Sequence, residues 1–330
     1  MVRSQQQTTS TAEEYEALTK GAALLDRSAV GRLRLDGKDA LDLLNRLSTN
    51  QLLDLALGQG RPTVLTSNKG RIIDLLTVFR LEGYLLVLTS AEARQKVAEH
   101  INFYTFGEDV HVEDVTDSTS MLSVCGPLAS ESPPLASVEL NLYESASADI
   151  QGVTTTVLRT DSLDLPGYDL IVPLEHEAQP WEYLEVAGVP HVSGRVVETV
   201  RIMRGIPVHG HELGEDFNPL EAGLKPFISF TKGCYVGQEV VARLNTYQKA
   251  QRRLVGLKWG TDAPVKAGAE LKLDGQVVGV LTSFARLPTG LIINVGLGYV
   301  KKSVPRSGGV GISADGNVLQ ANLIEVVPDK

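Results

Sequence analysis

The stretch RPTVLTSNKGRIIDLLTVFR, residues 61–80, decides the reading of the fold. Apolar and β-branched residues fill both flanks, and Asn68, Lys69 and Gly70 between them suit the tight turn of a hairpin. YLLVLTS follows across a second turn at Glu82 and Gly83. Three antiparallel strands are predicted over 61–90, after which AEARQKVAEHINFY reads as an amphipathic helix with Ser90 placed to cap its first amides. Upstream, RLRLDG (32–37) alternates as a strand, and Ala40, Leu41, Leu43, Leu44 and Leu47 recur at helical spacing.

A similar order returns later. VTTTVLR (153–159) and YDLIVP (168–173) read as strands, the segment from Glu175 to Ala187 as a helix, and SGRVVETVRIMRG (193–205) as another that Gly205 can end. The Ser-, Pro- and Ala-rich stretch 130–149 reads as a loop with a marginal helix. Beyond Ala250 the texture changes to short strands with Gly-rich turns, as in LKLDGQVVGVLTSF and LIINVGLGYV, which predicts a small closing β-barrel.

The chain has 330 residues, more than one domain usually holds, so two or three packed units are expected. Hydrophobic residues make up 43% and charged residues 22%, the balance of a folded globular protein. A net charge of −9 with no basic run disfavours direct binding to nucleic acid. The first twenty residues lack the apolar core of a secretory signal and carry acids that a transit peptide avoids. No apolar run approaches the length of a membrane span. A cytoplasmic location without membrane contact is the expectation.

Two cysteines, Cys125 and Cys234, stand far apart with no CxxC spacing, which argues against a disulfide framework and a zinc site. His209 and His211 flank Gly210, but two such ligands without a third read as an exposed loop, and no metal is expected. There is no phosphate-cradling glycine loop, Rossmann fingerprint or serine nucleophile elbow.

The most unusual segment is PLEAGLKPFISFTKGCYVGQEVVARLNTY, residues 219–247. It sets a thiol two residues after Lys232 and directly after Gly233. A thiol of ordinary pKa is only a few per cent thiolate at neutral pH, so an ammonium or a helix start nearby would raise its reactivity several-fold. Lys232 and the helix start near Val236 are the candidates for that role, and Gln238 and Glu239 can face the same pocket. A single cysteine is otherwise a small buried hydrophobe.

KGCYVGQE resembles the signature KGCYxGQE of the YgfZ branch of the YgfZ/GcvT folate-binding family, which includes the glycine-cleavage T-protein. Similarity extends along most of the chain. RLSTN (46–50) resembles the family's TND-like motif, TSNKGRIIDLL the strand, turn and strand of the T-protein, and RIMRGIPVHG (201–210) and PLEAGL the RxxxGxP and PxExxL segments. The resemblance implies an α+β fold of three domains in a cloverleaf around a central channel that binds tetrahydrofolate. Its division would be residues 1–48 with 111–245, residues 49–110, and the barrel over 250–330.

The family's site residues carry over as Cys234, Lys232 and Asp74 for chemistry, and Asn50, Arg201, Tyr235, Gln238 and Glu239 for the folate. Asp74 matches the first acid of the T-protein's Asp-Asp pair, but Leu75 stands at the second. Met203 stands where the T-protein carries the glutamate that bonds the pterin. Arg201 and Arg204 suit the carboxylates of a glutamate tail. The resemblance implies a folate-binding factor supporting assembly or repair of iron–sulfur enzymes, including those that modify tRNA, with folate and those enzymes as partners. A tetrahydrofolate-dependent aminomethyltransferase or demethylase is the alternative, and a non-catalytic binding protein the third. Whether the chain is an enzyme is left open; if it is one, it is expected to be a one-carbon transferase.

Overall fold

The computed structural model describes residues 10–314 and 316–325. The outermost residues of the expected first unit and barrel, 1–9 and 326–330, lie outside the described residues, as do the start of the N-terminal segment and residue 315.

The chain opens with α1 (Thr11–Lys20), β1 (Ala23–Asp26), β2 (Gly31–Asp36) and α2 (Ala40–Leu47). Next come β3 (Gly60–Thr66), β4 (Ile72–Leu81), β5 (Tyr84–Thr89), α3 (Arg94–Phe103) and β6 (His111–Asp114). These fit the expected hairpins: β3 pairs with β4, and β4 with β5, both antiparallel. A second series holds β7 (Thr119–Cys125), β8 (Ser145–Ile150), β9 (Val153–Thr160), β10 (Gly167–Pro173), α4 (Ala178–Val186) and α5 (Gly194–Met203). After a long irregular stretch comes α6 (Gln238–Thr246). The last strands are β11 (Arg252–Trp259), β12 (Glu270–Leu273), β13 (Gln276–Arg286), β14 (Asn294–Lys301), β15 (Gly308–Ala314) and β16 (Asn317–Ile324).

The strands form two five-stranded sheets, β1-β7-β10-β9-β8 and β3-β4-β5-β2-β6, and a closed barrel β11-β14-β13-β12-β15-β16. The fold is α+β with a six-stranded C-terminal barrel, as expected. Closure removes the exposed strand edges that so short a set of strands would otherwise present.

The division between the sheets differs from the expected one. Strand β2 pairs with β5 and β6, so residues 31–36 and 111–114 belong to the sheet of β3, β4 and β5. The cause is burial: Leu33, Leu35, Leu43, Leu44 and Leu47 share one core with Leu65, Ile73, Leu76, Val78 and Val97. The strand and helix at 31–47 cannot bury their apolar faces without that sheet. The stretch 130–149 also departs from a loop reading, because its end becomes β8, paired along its length with β9. Small residues such as Ser145, Ala146, Ser147 and Ala148 give a weak strand signal, and the partner supplies the order.

A cluster from Phe79, Leu86 and Leu88 of one sheet and Met121, Leu158 and Ile171 of the other joins the two sheets. Another, with Val64, Ile72, Ile202, Leu224, Leu254, Leu297 and Tyr299, joins the second sheet, α5 and the barrel. Leu75 and Met203 pack against this same cluster. Among the described residues no helix is long and apolar enough to cross a membrane.

Candidate functional site

The segment 232–239 is seated on the end of α2 and on the β3–β4 turn. The Lys232 ammonium donates to the backbone carbonyls of Asn45 (2.6 Å), Ser48 (2.9 Å) and Asn50 (2.6 Å). An ammonium has three donors, so all are engaged. Those carbonyls lie at the C-terminal end of α2, where a helix leaves acceptors unpaired and favours a cation. Burial pushes Lys232 down to about 8. Its nitrogen also lies 5.4 Å from the centre of the Tyr235 ring, a cation–π contact. Tyr235 is itself buried, and burial raises its hydroxyl to about 12.

The neighbouring backbone completes the attachment. The Val236 amide donates to Arg46 O (2.9 Å), and Thr66 Oγ1 donates to Val236 O (2.6 Å). Gly237 has φ of +83° just before α6. A Cβ there would lie 2.5 Å from the carbonyl oxygen of Ser67, so only glycine fits. The three stretches singled out in the sequence, 46–50, 66–70 and 232–239, thus form one structural knot.

Side chains divide between the inside and the outside of that knot. Lys232 and Tyr235 point inward, whereas Cys234 is free and exposed. Glu239 is exposed and Gln238 half-buried at the start of α6. Every proton of the Lys232 ammonium is committed to a carbonyl, so none is left to donate to the Cys234 sulfur. Lys232 is an anchor of the segment.

Asp74 is fully buried on β4. Its carboxylate accepts from Thr89 Oγ1 (2.5 Å), the Ser90 amide (2.7 Å) and Ser90 Oγ (2.7 Å). Ser90 therefore serves the carboxylate, and its hydroxyl does not cap the helical turn as expected. His209 Nδ1 stands 3.5 Å from Asp74 Oδ1. That is too long for a strong hydrogen bond and acts as an ion pair when the ring is protonated. His209 is thus drawn against the second sheet, where the sequence suggested an exposed loop.

Arg201 is buried and fully employed elsewhere. It pairs with Glu212 (2.8 Å) and with Glu198, and donates to Ser283 Oγ (2.7 Å) on the barrel. Burial lowers its pKa, but the two carboxylates outweigh this and hold it above the usual value. Glu212 has no exposed surface and also accepts from Thr282 (2.5 Å) and Ser283 (2.7 Å). A guanidinium so occupied cannot receive a ligand's carboxylate, which corrects the expectation for Arg201.

A cleft of about 440 Å³ opens on the seam between the two sheets. Asn50 and residues 59–62 come from the second sheet, 142–144 from the approach to β8, and Pro226 and Phe227 from the long connection before α6. Of the residues predicted for the site, only Asn50 lines it. Its amide is engaged, Nδ2 donating to Pro62 O (2.9 Å) and Oδ1 accepting from Gln51 N (3.0 Å). Arg61, Tyr143, Glu144 and Phe227 were missed by the sequence reading, since nothing local marks three distant segments as neighbours. Among the described residues no three His, Cys, Asp or Glu side chains are grouped to hold a metal ion.

The GCVT N-terminal domain matches residues 3–232 of the chain. A chloroplastic protein of Arabidopsis thaliana is 31% identical over 305 residues, covering 90% of this chain and 69% of its own. An aminomethyltransferase of Caldanaerobacter subterraneus is 31% identical over 309 residues, with 89% of this chain and 81% of that one covered. The crystal structure of the glycine cleavage system aminomethyltransferase T from Bartonella henselae superposes with a TM-score of 0.86 at 22% identity. That alignment covers 96% of this chain and 88% of the other.

Proposed function

Because the chain belongs to the GCVT family, we infer that it binds a tetrahydrofolate in the cleft lined by Asn50, Arg61, Tyr143, Glu144 and Phe227. The observation that carries this reading is the cleft itself. Its volume falls in the range of about 300 to 1,000 Å³ usual for small-ligand sites. Tyr143 and Phe227 offer aromatic faces to a ring system, and Arg61 a cation to a carboxylate tail. When bound, a tetrahydrofolate supplies a carrier for one-carbon units. Titration calorimetry with tetrahydrofolate is the test, and no heat of binding at near-millimolar ligand would sink the reading.

Two uses of the folate stand side by side. The names of relatives support aminomethyl transfer. In that reaction an acid near the folate assists, and Asp74 is the acid available on β4. Against it, Asp74 is sealed and its oxygens serve Thr89 and Ser90. Leu75 and Met203, apolar where the T-protein pattern has acids, pack in one apolar cluster. Formation of methylenetetrahydrofolate from a methylamine donor, abolished by Asp74→Asn, is the result that this use requires.

The second use is favoured by the exposed thiol. Cys234 stands on a segment fixed by Lys232, Val236 and Gly237, so its backbone is held while its sulfur faces solvent. A YgfZ-type factor serving iron–sulfur enzymes, including tRNA-modifying ones, would work through that sulfur. Complementation of a strain lacking such a factor separates the two uses: Cys234→Ser abolishes it under this reading, and full complementation removes the thiol from the mechanism.

A further inference from the structure

We propose that the aromatic tip of α3, formed by Phe103 and Phe106, is the surface on which the protein served by Cys234 docks, and that this partner presents an apolar socket with a basic rim. The proposal rests on the thiol reading of the function and adds to it the chemistry that selects the partner.

Phe103 is 68% exposed and Phe106 84%, which makes Phe106 the most exposed aromatic side chain among the described residues. Apolar residues scattered singly over a surface need no explanation, but these two are a built pair. Their rings meet edge to face at 6.5 Å, and the Phe103 ring meets that of Tyr104 at 5.1 Å. Tyr104 in turn packs against the core of the second sheet, so the outer rings stand on a buried base. The loop that carries Phe106 is fixed as well, because the Glu108 carboxylate accepts from the Phe106 amide (2.9 Å) and the Gly107 amide (3.1 Å). A tip ordered in advance loses little freedom when a partner binds.

The same carboxylate ties the tip to the thiol segment. Glu108 Oε1 accepts from Arg46 Nη2 (2.8 Å), and the Arg46 carbonyl accepts from the amide of Val236 (2.9 Å), two residues after Cys234. Tyr104 and Val236 also pack against one and the same cluster. The tip and the segment bearing the exposed sulfur are therefore neighbours held in a fixed relation.

Charge decides the occupant. Arg46 is shared by Asp42 and Glu108, and Lys96 pairs with Glu215. Glu99, one helical turn before Phe103, and Asp109, just beyond Phe106, add two exposed acids. The surplus around the rings is negative, so a second copy of this chain, acidic at the same place and −9 overall, is repelled, whereas a basic rim is attracted. Area points the same way. Two phenyl side chains offer roughly 300 Å², well short of the about 800 Å² per partner of a stable complex. The contact is a transient one, suited to a factor that visits several enzymes.

The test uses the full chain in a strain lacking the iron–sulfur factor, with the activity of a tRNA-modifying iron–sulfur enzyme as the readout. Phe103→Ser together with Phe106→Ser is expected to lower that activity about tenfold. The melting temperature should stay within about 2 °C, and the native reaction of Cys234 with Ellman's reagent within about twofold, since neither ring lies in the core. Phe106→Leu, which keeps an apolar tip, should retain about half of the activity or more. Glu99→Lys together with Asp109→Lys should cost about threefold, because the rim then repels the partner. A p-benzoylphenylalanine placed at position 106 and irradiated in the same cells should capture the protein that a short bismaleimide links to Cys234. Full complementation by the double serine variant, with Cys234→Ser inactive, overturns the docking surface and leaves the thiol reading standing. A crosslink confined to a second copy of the chain overturns the choice of partner. Full complementation by Cys234→Ser, or none by the wild-type chain, overturns the thiol reading and the proposal with it.

Discussion

His209 Nδ1 stands 3.5 Å from Asp74 Oδ1, and this contact ties the loop after α5 to the interior of the second sheet. The Asp74 carboxylate raises the pKa of His209 above its usual value, burial opposes it, and the charge of Glu92 adds to the rise while Lys96 subtracts. A histidine raised in the folded state contributes stability that is complete below its unfolded pKa of about 6.5. The contribution is lost as pH climbs through the folded value. Denaturant stability of the wild-type chain is therefore expected to fall above about pH 6.5. Asp74→Asn should flatten that fall and return the His209 titration, followed by NMR, toward its usual value. An unchanged His209 titration in Asp74→Asn would show that the pair does not interact.

Lys232 gives a prediction about stability, where a catalytic lysine would give one about rate. Its ammonium satisfies three carbonyls at the end of α2, and hydrogen bonds to a charged donor contribute about 1.5 to 3 kcal/mol each, not additively. Lys232→Met should cost about 2 to 4 kcal/mol by urea denaturation, since it leaves those carbonyls short of a donor. Arginine should not restore the loss, because a flat guanidinium fork does not match three converging acceptors. Wild-type stability in Lys232→Met would refute the anchoring role.

These two residues mark where the sequence stops being readable. Strands β3, β4 and β5 follow from alternation and from the turns at 68–70 and 82–83, which are local signals. The motif residues 232–239 were legible as a unit for the same reason. Their directions were not, because Lys232 takes its acceptors from 182 to 187 residues away. Arg201 finds Glu212 eleven residues on and Ser283 eighty-two residues on, and no local pattern along α5 signals either partner. The cleft is the extreme case. Asn50, Glu144 and Phe227 become neighbours only once two sheets and a long connection have packed.

The Arg201–Glu212 pair gives a prediction of the opposite kind from a binding residue. Both side chains are buried, and removing one partner leaves the other charge without compensation, at about 3 to 5 kcal/mol. Glu212 further holds Thr282 and Ser283, and its carbonyl accepts from Tyr299 Oη at 2.8 Å, so the barrel should loosen from α5 as well. Arg201→Ala is expected to lower the urea midpoint strongly, while the folded fraction keeps its affinity for tetrahydrofolate within about threefold. An affinity loss at unchanged stability would restore Arg201 to the ligand site.

The two thiols should separate cleanly with Ellman's reagent. Cys234 is exposed, whereas Cys125 lies in a cluster with Leu18, Leu25, Leu165 and Val196, where burial pushes its thiol up to about 12. Reaction requires both access and thiolate, and Cys125 is denied each. One equivalent of thiol is expected to react in the native chain, and the second only after denaturation. Cys234→Ser should then remove the native reaction and leave the melting temperature within about 1 °C, as befits an exposed side chain away from the core. Native reactivity surviving in Cys234→Ser would mean that the sheet carrying Cys125 opens on the timescale of the assay, and the packing of that cluster would have to be looser than its burial implies.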